Sequence, residues 1–401
     1  LAKLLLRQPD CLLMDEPTNH LDIDGREWLE CFLRDEFRGA VLLISHDRRL
    51  LDTVVTRIIE LEQARLIDYP GNFETFRELR AERRTALLRA WENEQTKFKR
   101  EEAFIRKYKS GQRAKQARGR ESRLERARET SSLERPMELG SFSLELPKAD
   151  RTGDLVIVAK QLTKEYFNTD GATKRLFTDL DITIGRGERW AIIGPNGAGK
   201  TTLVRTLLTE IKPDSGKVSL GSRVVVGYFE QNPDLGDADQ TVVRALQRAV
   251  ERANPHQLLS EQQARNLAGA CLFSGLDQEK EIGVLSGGER ARIGLASLLA
   301  SAKNLQVLDE PTNRHEIPSA ARLEEALAPG KVGYEGSLLR ISHDRALIDA
   351  LCDHLLVLDG DGNVTIFHGS YSYWQLQRSL TSGSMRTSVI TASNSTTTSN
   401  Q

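Results

Sequence analysis

The feature that most constrains the fold of this chain is an internal repeat. Three segments recur in the same order, at offsets of 294, 297 and 298 residues. Three ordered matches at nearly one offset indicate two copies of one domain, and only the second half of the pattern is found for the first copy. The recurring segments are Asp-Glu-Pro-Thr-Asn at 15–19 and 309–313, Ile-Ser-His-Asp-Arg at 44–48 and 341–345, and Tyr-Pro-Gly-Asn-Phe at 69–73, which returns loosely as Phe-His-Gly-Ser-Tyr at 367–371.

Short apolar runs precede the repeated motifs in each copy. Cys11–Met14 and Leu305–Leu308 come before the acidic pair, and Val41–Ile44 and Leu338–Ile341 come before Ser-His-Asp. Such runs, bounded by polar segments, are typical of buried strands in a parallel sheet. A helical pattern lies between them at 25–37. Alternating strand and helix predicts the α/β class, with Gln306 as a polar residue inside a buried strand.

The segment between the copies, residues 74–135, favours helix. It contains no proline and only two glycines, Gly111 and Gly119, and is rich in Glu, Lys, Arg, Ala and Leu. Trp91, Phe98 and Ile105 recur every seven residues. We therefore predict a helical hairpin that turns near Gly111.

This hairpin also carries a dense block of positive charge. Between residues 97 and 128 there are 13 Lys or Arg and four Glu, a balance of +9, while the whole chain has a formal net charge of −1. A block of this kind is usually a solvated face, but it can also be a nucleic-acid surface.

A phosphate-binding loop is predicted at 194–201. Gly-Pro-Asn-Gly-Ala-Gly-Lys-Thr fits the pattern G-x-x-x-x-G-K-[ST], between a strand pattern at 189–193 and a helix pattern at 202–208. The loop N–H groups and the helix N-terminus favour phosphate oxygens. Lys200 would reach the β- and γ-phosphates of a nucleotide, and Thr201 would hold Mg²⁺.

Several residues are candidate partners of this loop. Asp309 and Glu310 follow a strand, where a Mg²⁺ carboxylate and a water-orienting base are needed, although one acidic pair alone could be a strand-end cap. Leu-Ser-Gly-Gly-Glu at 285–289 is a capping box, and its helix N-terminus could also bind an anion. Gln231 could be a surface amide. His46 and His343, which each follow Ile-Ser, could be structural, but their repetition in both copies favours a functional role.

Taken together, these motifs resemble the ATP-binding cassette superfamily, and the tandem copies with the charged hairpin resemble its ABC-F subfamily. The resemblance covers residues 1–380 and implies a cytoplasmic ATPase that uses ATP and Mg²⁺ and acts on the ribosome, with the hairpin reaching toward the tRNA and peptidyl-transferase region. The implied catalytic residues are Glu310, Glu16, His343, His46 and Gln231. The implied nucleotide-binding residues are Gly194, Pro195, Asn196, Gly197, Ala198, Gly199, Lys200, Thr201, Thr202, Tyr166 at adenine, Ser286, Gly287, Gly288 and Glu289. The implied metal-binding residues are Thr201, Gln231, Asp309 and Asp15.

The resemblance also sets the expected domain organisation. In this superfamily each ATP lies between the P-loop of one cassette and the signature of the other, so neither composite site can close within this chain. We expect the chain to be the C-terminal part of something longer, weakly active alone, with pairing supplied by the missing segment or by a second chain. In the second copy, 313–316 also departs from the Asn-His-Leu-Asp of 19–22. The expected domains are 1–73 (end of the first cassette), 74–140 (hairpin linker), 141–380 (second cassette) and 381–401 (a disordered Ser/Thr/Asn-rich tail).

Two other classes of function stay open at this point. The first is the energy-coupling subunit of a membrane transporter, although such a subunit has no need of a +9 arm. The second is an ATP-gated binding module with residual hydrolysis, which stays open because the 313–316 segment is altered. The composition of the chain, 39% hydrophobic and 28% charged residues, is globular. Its apolar runs are far shorter than a bilayer span, and its four cysteines form no C-x-x-C pair, which argues against a zinc or disulfide framework.

Overall fold

The computed structural model contains two compact units. One comprises residues 1–50 and 142–401, and the other comprises residues 51–141. The predicted boundaries stay a prediction; residues 51–73, which they assign to the first cassette, lie in the second unit. The residues that the structure describes are 9–19, 21–62, 64–110, 113–130, 150–167, 173–229, 235–255, 258–271, 273, 275–310, 324, 327–328 and 334–380. The predicted tail at 381–401 lies outside them.

The partial first copy begins with a parallel pair of strands, as the sequence predicts. Asp15 at the end of the first strand lies beside Ile44 at the end of the second. The helix predicted over 25–37 begins two residues earlier, where the side chain of Asp22 accepts a hydrogen bond from Gly25 N, and it widens into a π-helical turn at 32–36. The elements are β1 (Cys11–Asp15), α1 (Ile23–Cys31), the π-turn (Phe32–Glu36), β2 (Ala40–Ile44) and α2 (Arg48–Val54).

The second unit contains an antiparallel strand pair and the helical hairpin. Asn72 caps the first hairpin helix by accepting from Thr75 N. This helix has 36 residues, about 54 Å at 1.5 Å per residue. The two helices pack through buried Ile105, Ala117 and Leu124, so the predicted helical hairpin is confirmed; Gly111 at its predicted turn is outside the described residues. The elements are β3 (Arg57–Glu62), β4 (Arg65–Pro70), α3 (Phe73–Tyr108) and α4 (Ala114–Thr130).

The second copy contains two sheets. The larger has the strand order β13-β12-β7-β11-β10-β9, parallel except for β12–β13, and the smaller is antiparallel with the order β6-β5-β8. Its elements are β5 (Leu155–Phe167), β6 (Thr173–Gly185), β7 (Arg189–Ile193), α5 (Lys200–Leu207), β8 (Ser215–Leu220), β9 (Val226–Phe229), α6 (Val242–Ala253), α7 (Glu261–Ala270), α8 (Gly287–Ala300), β10 (Leu305–Asp309), β11 (Ser337–Ile341), α9 (Arg345–Leu351), β12 (His354–Leu358), β13 (Val364–His368) and α10 at 371–380.

The two faces of the larger sheet are covered differently. Helix α5 lies on one face, where Leu203 shares a core with Phe177 of the smaller sheet and Ile192 of β7. On the other face, residues of α8 and α9 pack against β7, β10 and β11. The parallel strands are therefore buried on both sides, which explains their continuous apolar runs. No described helix combines the length and hydropathy needed to span a bilayer.

Two polar side chains interrupt this core. Gln306 of β10 and Arg340 of β11 are fully buried on one face of the sheet. Within the described part of the chain, the Gln306 amide has no hydrogen-bond partner. Arg340 Nη2 reaches Ser342 Oγ at 3.4 Å, and burial lowers the pKa of this guanidinium. A buried unpaired amide typically costs about 1–3 kcal/mol, as the sequence indicated for Gln306.

Candidate functional site

The phosphate-binding loop joins β7 to α5, as predicted. β7 is completely buried, and the loop leaves it at Gly194, where a Cβ would lie 2.4 Å from the carbonyl oxygen of Leu358. Gly199 caps α5 with φ = 98°, a left-handed conformation that glycine adopts without strain. These glycines let the backbone curl tightly around the start of the helix. Loop N–H groups and the helix dipole are therefore available to an anion.

Lys200 lies under this loop with its ammonium group buried. Nζ donates to the carbonyl oxygens of Gly194 and Pro195, each at 2.9 Å. Desolvation lowers the pKa of Lys200, and the carboxylates of Glu310, Asp22 and Asp309 oppose that shift. The opposing carboxylates and the two carbonyl oxygens stabilise the charged form, which a phosphate would stabilise further.

Thr201 and Asp309 meet beside the loop. Thr201 Oγ1 donates to Asp309 Oδ2 at 2.9 Å, and the Tyr228 hydroxyl donates to the same oxygen at 3.1 Å. Desolvation raises the pKa of Asp309, opposed by these two hydrogen bonds. Desolvation, together with Asp309, raises the pKa of Tyr228 to about 12. The cluster offers closely spaced oxygens to a hard cation.

Glu310 and Glu16 adopt the same unusual conformation in the two copies. Glu310 has φ = 47° and Glu16 has φ = 45°, a left-handed region that is rare for non-glycine residues. Each donates its backbone N–H to the end of the neighbouring strand, to Ile341 O at 3.0 Å and to Ile44 O at 2.9 Å. Such strain is often held at functional sites.

Each of these glutamates faces the histidine of its own copy. His343 Nε2 lies 3.2 Å from Glu310 Oε1, and His46 Nε2 lies 3.3 Å from Glu16 Oε1. The surroundings differ, since the His343 side chain is 4% exposed and that of His46 is 45% exposed. Burial raises the pKa of Glu16, and the neighbouring His46 opposes this shift. The repeat therefore places a carboxylate and an imidazole together twice.

Asp22 of the first copy touches the P-loop of the second copy. Its Oδ1 accepts from Gly25 N at the start of α1, and its Oδ2 accepts from Asn196 N at 3.3 Å. Sequence reasoning did not place Asp22 in the site. The only signal was its position in the loop after Asp-Glu-Pro-Thr-Asn, which the family resemblance directs to the opposite cassette.

Tyr166 lies at the open end of the smaller sheet. It is partly exposed, and its cross-strand neighbour is Lys174. Lys174 Nζ donates to Gly197 O of the P-loop at 2.9 Å, and Lys164 Nζ lies 5.3 Å from the Tyr166 ring centroid. An exposed ring beside the phosphate loop can stack on a planar base, and Lys174 is a cation that sequence reasoning missed.

The signature segment forms a capping box. Ser286 caps α8; Glu289 N donates to Ser286 Oγ, and the Glu289 carboxylate accepts from Ser286 N at 2.8 Å and from its Oγ at 2.8 Å. Hydrogen bonding to Ser286 lowers the pKa of Glu289 against the raising effect of burial. Ser286 and Gly287 are exposed at the helix N-terminus, so this end can accept a partner. Gln231 and the altered 313–316 segment lie outside the described residues.

The hairpin presents its cations to solvent. Seven Lys and Arg residues between 106 and 120, on either side of the predicted turn, are all exposed. Arg120 is engaged within the hairpin, because it pairs with Glu101 at 3.2 Å and lies 4.0 Å from the centre of the Phe104 ring. Arg113 and Lys107 lie over Tyr108. The seven residues are Arg106, Lys107, Lys109, Arg113, Lys115, Arg118 and Arg120.

Comparison with known proteins also leads to the ATP-binding cassette proteins. A family model described as ABC transporter, ABC_tran, matches residues 177–313, and a second with that description, ABC_tran_Xtn, matches residues 59–141. The energy-dependent translational throttle protein EttA of Haemophilus influenzae is 37% identical over 96% of this chain and 67% of its own length. ABC transporter F family member 2 of Arabidopsis thaliana is 35% identical over 93% of this chain and 53% of its own length.

A solved structure supports the fold. The structure of an archaeal ribosome recycling factor, aABCE1, with the ribosomal stalk protein aP1 matches with a TM-score of 0.57 and 21% identity, over 92% of this chain and 62% of that chain. At this identity the likeness concerns the fold alone, and it confirms the predicted cassette architecture. The chain spans about half to two thirds of the length of the curated relatives it matches.

Proposed function

This chain belongs to the ABC-F subfamily of ATP-binding cassette proteins, and on that premise we propose that it binds and hydrolyses ATP and acts on the ribosome in the cytoplasm. The observation that carries the ATPase proposal is the arrangement beside the P-loop. Thr201 touches Asp309, and Glu310 touches His343. A nucleotide phosphate, a cation and a water molecule each find matching groups there.

The P-loop would bind the phosphates of ATP. Lys200 would exchange its two carbonyl partners for phosphate oxygens, a charge-assisted contact of greater strength. Thr201 and Asp309 present the oxygen ligands that Mg²⁺ prefers, and Asp15 has the corresponding position in the first copy. A Mg²⁺ ion held by these residues would supply positive charge that offsets the negative charge developing on the phosphates. Tyr166 would stack on adenine.

Glu310 and Glu16 would orient the attacking water. The histidine of each copy, 3.2 or 3.3 Å from the carboxylate, would bond to the γ-phosphate side of the site. The shared left-handed backbone sets where each glutamate side chain leaves the end of its strand. Gln231 would complete the metal and water contacts.

Each nucleotide site would be composite. Ser286, Gly287, Gly288 and Glu289 would face a P-loop of another cassette, and Lys200 would face another signature. Asp22 at the P-loop supports this arrangement, because a residue of the first copy already reaches the nucleotide site of the second. We propose that the missing partners come from the segment that the longer relatives have, or from a second chain.

The test of nucleotide binding is Lys200→Ala in an ATP titration by calorimetry. Loss of a charged hydrogen-bond donor is expected to weaken binding about tenfold or more without unfolding the chain. A Lys174→Ala variant serves as the matched control and should weaken binding less. Unchanged ATP affinity in Lys200→Ala contradicts the P-loop assignment.

The ribosome is the proposed partner of the hairpin. The exposed cations between residues 106 and 120 can bind RNA phosphates, and relatives of this chain are named as translational throttle proteins. Replacing the seven hairpin cations with Gln should lower ribosome affinity and reduce the salt slope by about 0.7–0.9 per lost phosphate contact. Gln at the exposed Lys212, Lys217 and Arg223 of the second copy is the control. Unchanged affinity and slope with intact helicity would make the hairpin a spacer.

A further inference from the structure

A buried ion pair between the two copies lies outside the site described above. Arg345 is the first residue of α9, directly after Ser342-His343-Asp344. Its Nη2 donates to Glu30 Oε1, and its Nη1 lies 3.6 Å from Glu27 Oε1. Both glutamates are on α1 of the first copy. The side chains of Arg345 and Glu30 are only 1% and 8% exposed.

A second ion pair repeats this contact with the copies exchanged. Arg48 is the first residue of α2, directly after Ser45-His46-Asp47, and its Nη1 donates to Glu324 Oε2 at 2.9 Å. Glu30 and Glu324 are separated by 294 residues, the offset of the acidic pair, while Arg48 and Arg345 are separated by 297, the offset of the Ser-His-Asp segment. The same two repeat positions therefore meet twice, in opposite directions.

Helix α1 connects these contacts to a nucleotide site. At its N-terminus, Asp22 accepts a hydrogen bond from Asn196 N of the P-loop. Near its C-terminus, Glu30 accepts a hydrogen bond from Arg345. Arg26 in the same helix donates to Asp47 of its own copy at 3.1 Å, also buried. A nine-residue helix of about 13 Å is a stiff element. Movement of either histidine loop must therefore act on α1.

We propose that Arg345–Glu30 and Arg48–Glu324 are positioning pairs that set each histidine loop from the opposite copy and so couple the two nucleotide sites. The inference rests on the proposed ATPase function. Arginine suits the role because its planar fork holds a carboxylate in one orientation. Removal of one partner leaves the other charge buried and uncompensated, so the pair acts as a unit.

The two pairs differ in strength. The side chains of Arg48 and Glu324 are 17% and 32% exposed, so water screens this pair more than Arg345–Glu30. Changes at Arg345 should therefore have the larger effect. The loop that positions His343 depends on the first copy more than the loop of His46 depends on the second.

The test is a charge exchange in the protein expressed from its complete coding sequence. The variants are Arg345→Glu, Glu30→Arg and the two together. Coupling between sites typically amounts to about 5–150-fold, so each single variant should lower kcat about tenfold while the KM for ATP changes less than about threefold. The double variant should regain kcat to within about threefold of wild type, because the pair is restored with reversed polarity.

Two controls distinguish a role in positioning the histidine loop from a role in holding the two copies together. Arg378–Asp24 also joins the copies, at 2.9 Å, but both side chains are more than half exposed. Exchange of Arg378 and Asp24 should leave kcat unchanged. Arg345→Lys keeps the charge without the fork and should give an intermediate kcat with an unchanged unfolding midpoint.

Three results would overturn the inference. The first is an unchanged kcat in both single variants. The second is a lowered unfolding midpoint with no change in the kcat measured below that midpoint. The third is a double variant that folds but does not regain kcat. A wild type that binds but does not hydrolyse ATP contradicts the proposed function instead. In that case the ion pairs are tested by ATP binding instead. Wild type and the double variant should have the same Hill coefficient, and the single variants should have a lower one.

Discussion

The two copies support the same glutamate–histidine contact on strands of very different burial. In the second copy, Val307, Leu339 and Ile341 are at most 1% exposed. The equivalent residues of the first copy, Leu13, Leu42 and Ile44, are 70%, 59% and 58% exposed. Yet the glutamate φ values differ by only 2°, and the two Glu–His distances by 0.1 Å.

This comparison shows that the backbone geometry of the glutamate and the stability of its strand pair have different origins. The glutamate conformation depends on one backbone hydrogen bond to the adjacent parallel strand, which β1 and β2 supply by themselves. The burial of the equivalent strand pair in the second copy, β10 and β11, depends on residues from elsewhere, such as Ile192 of β7 and Leu203 of α5. Local contacts shape the site, whereas distant contacts stabilise it.

The largest expected effect concerns the shared geometry. In the protein expressed from its complete coding sequence, Glu16→Gln with Glu310→Gln should lower steady-state ATP turnover about 10²–10⁴-fold, because each copy loses a positioned base. ATP affinity should be retained, since Gln keeps the shape of the side chain. Turnover like that of wild type would show that neither carboxylate is the base.

The next prediction concerns burial. Leu339→Ala should lower the free energy of unfolding of this chain by about 2–5 kcal/mol, because it leaves a cavity between the sheet and α5. Leu42→Ala, its counterpart on the exposed strand, should change it by less than about 0.5 kcal/mol. Urea titration measures both. Equal losses would mean that the first-copy strand pair is covered in solution.

A smaller effect concerns the acidic residue that ends each strand. Burial raises the pKa of Asp309 above 3.8, so its contribution to stability is present below pH 3.8 and is lost as the pH rises through its folded-state pKa. Asp309→Asn should therefore unfold at higher urea concentration than wild type at pH 7, and this gain should vanish below pH 3.8. A gain that persists in acid would assign it to hydrogen bonding.

Much of the fold follows from local sequence patterns. The four apolar runs become β1, β2, β10 and β11. In β10 and β11 the continuous apolar pattern matches burial on both faces, whereas alternate residues of β1 and β2 are exposed. The hairpin follows from helix-forming composition and a heptad spacing. The π-turn at 32–36 has no comparable signal in the sequence.

The site was predictable where a motif defines a backbone shape. Glycines at fixed spacing specify the P-loop, and the strand ends place Asp309 and Glu310 beside it. Contacts between distant segments carry no comparable signal: Asp22 with Asn196 and Arg345 with Glu30 join residues 174 and 315 positions apart. Only the repeat could have suggested the second of these, because it shows both partners twice.

The left-handed glutamates have a consequence for laboratory evolution. Glycine would relieve the backbone strain at Glu16 or Glu310, and for glutamate codons it is a single nucleotide away. A library screened only for thermal tolerance should therefore enrich glycine at these two positions and collect inactive proteins. Selection for activity must accompany any such screen, since here robustness and turnover favour different residues at the same codon.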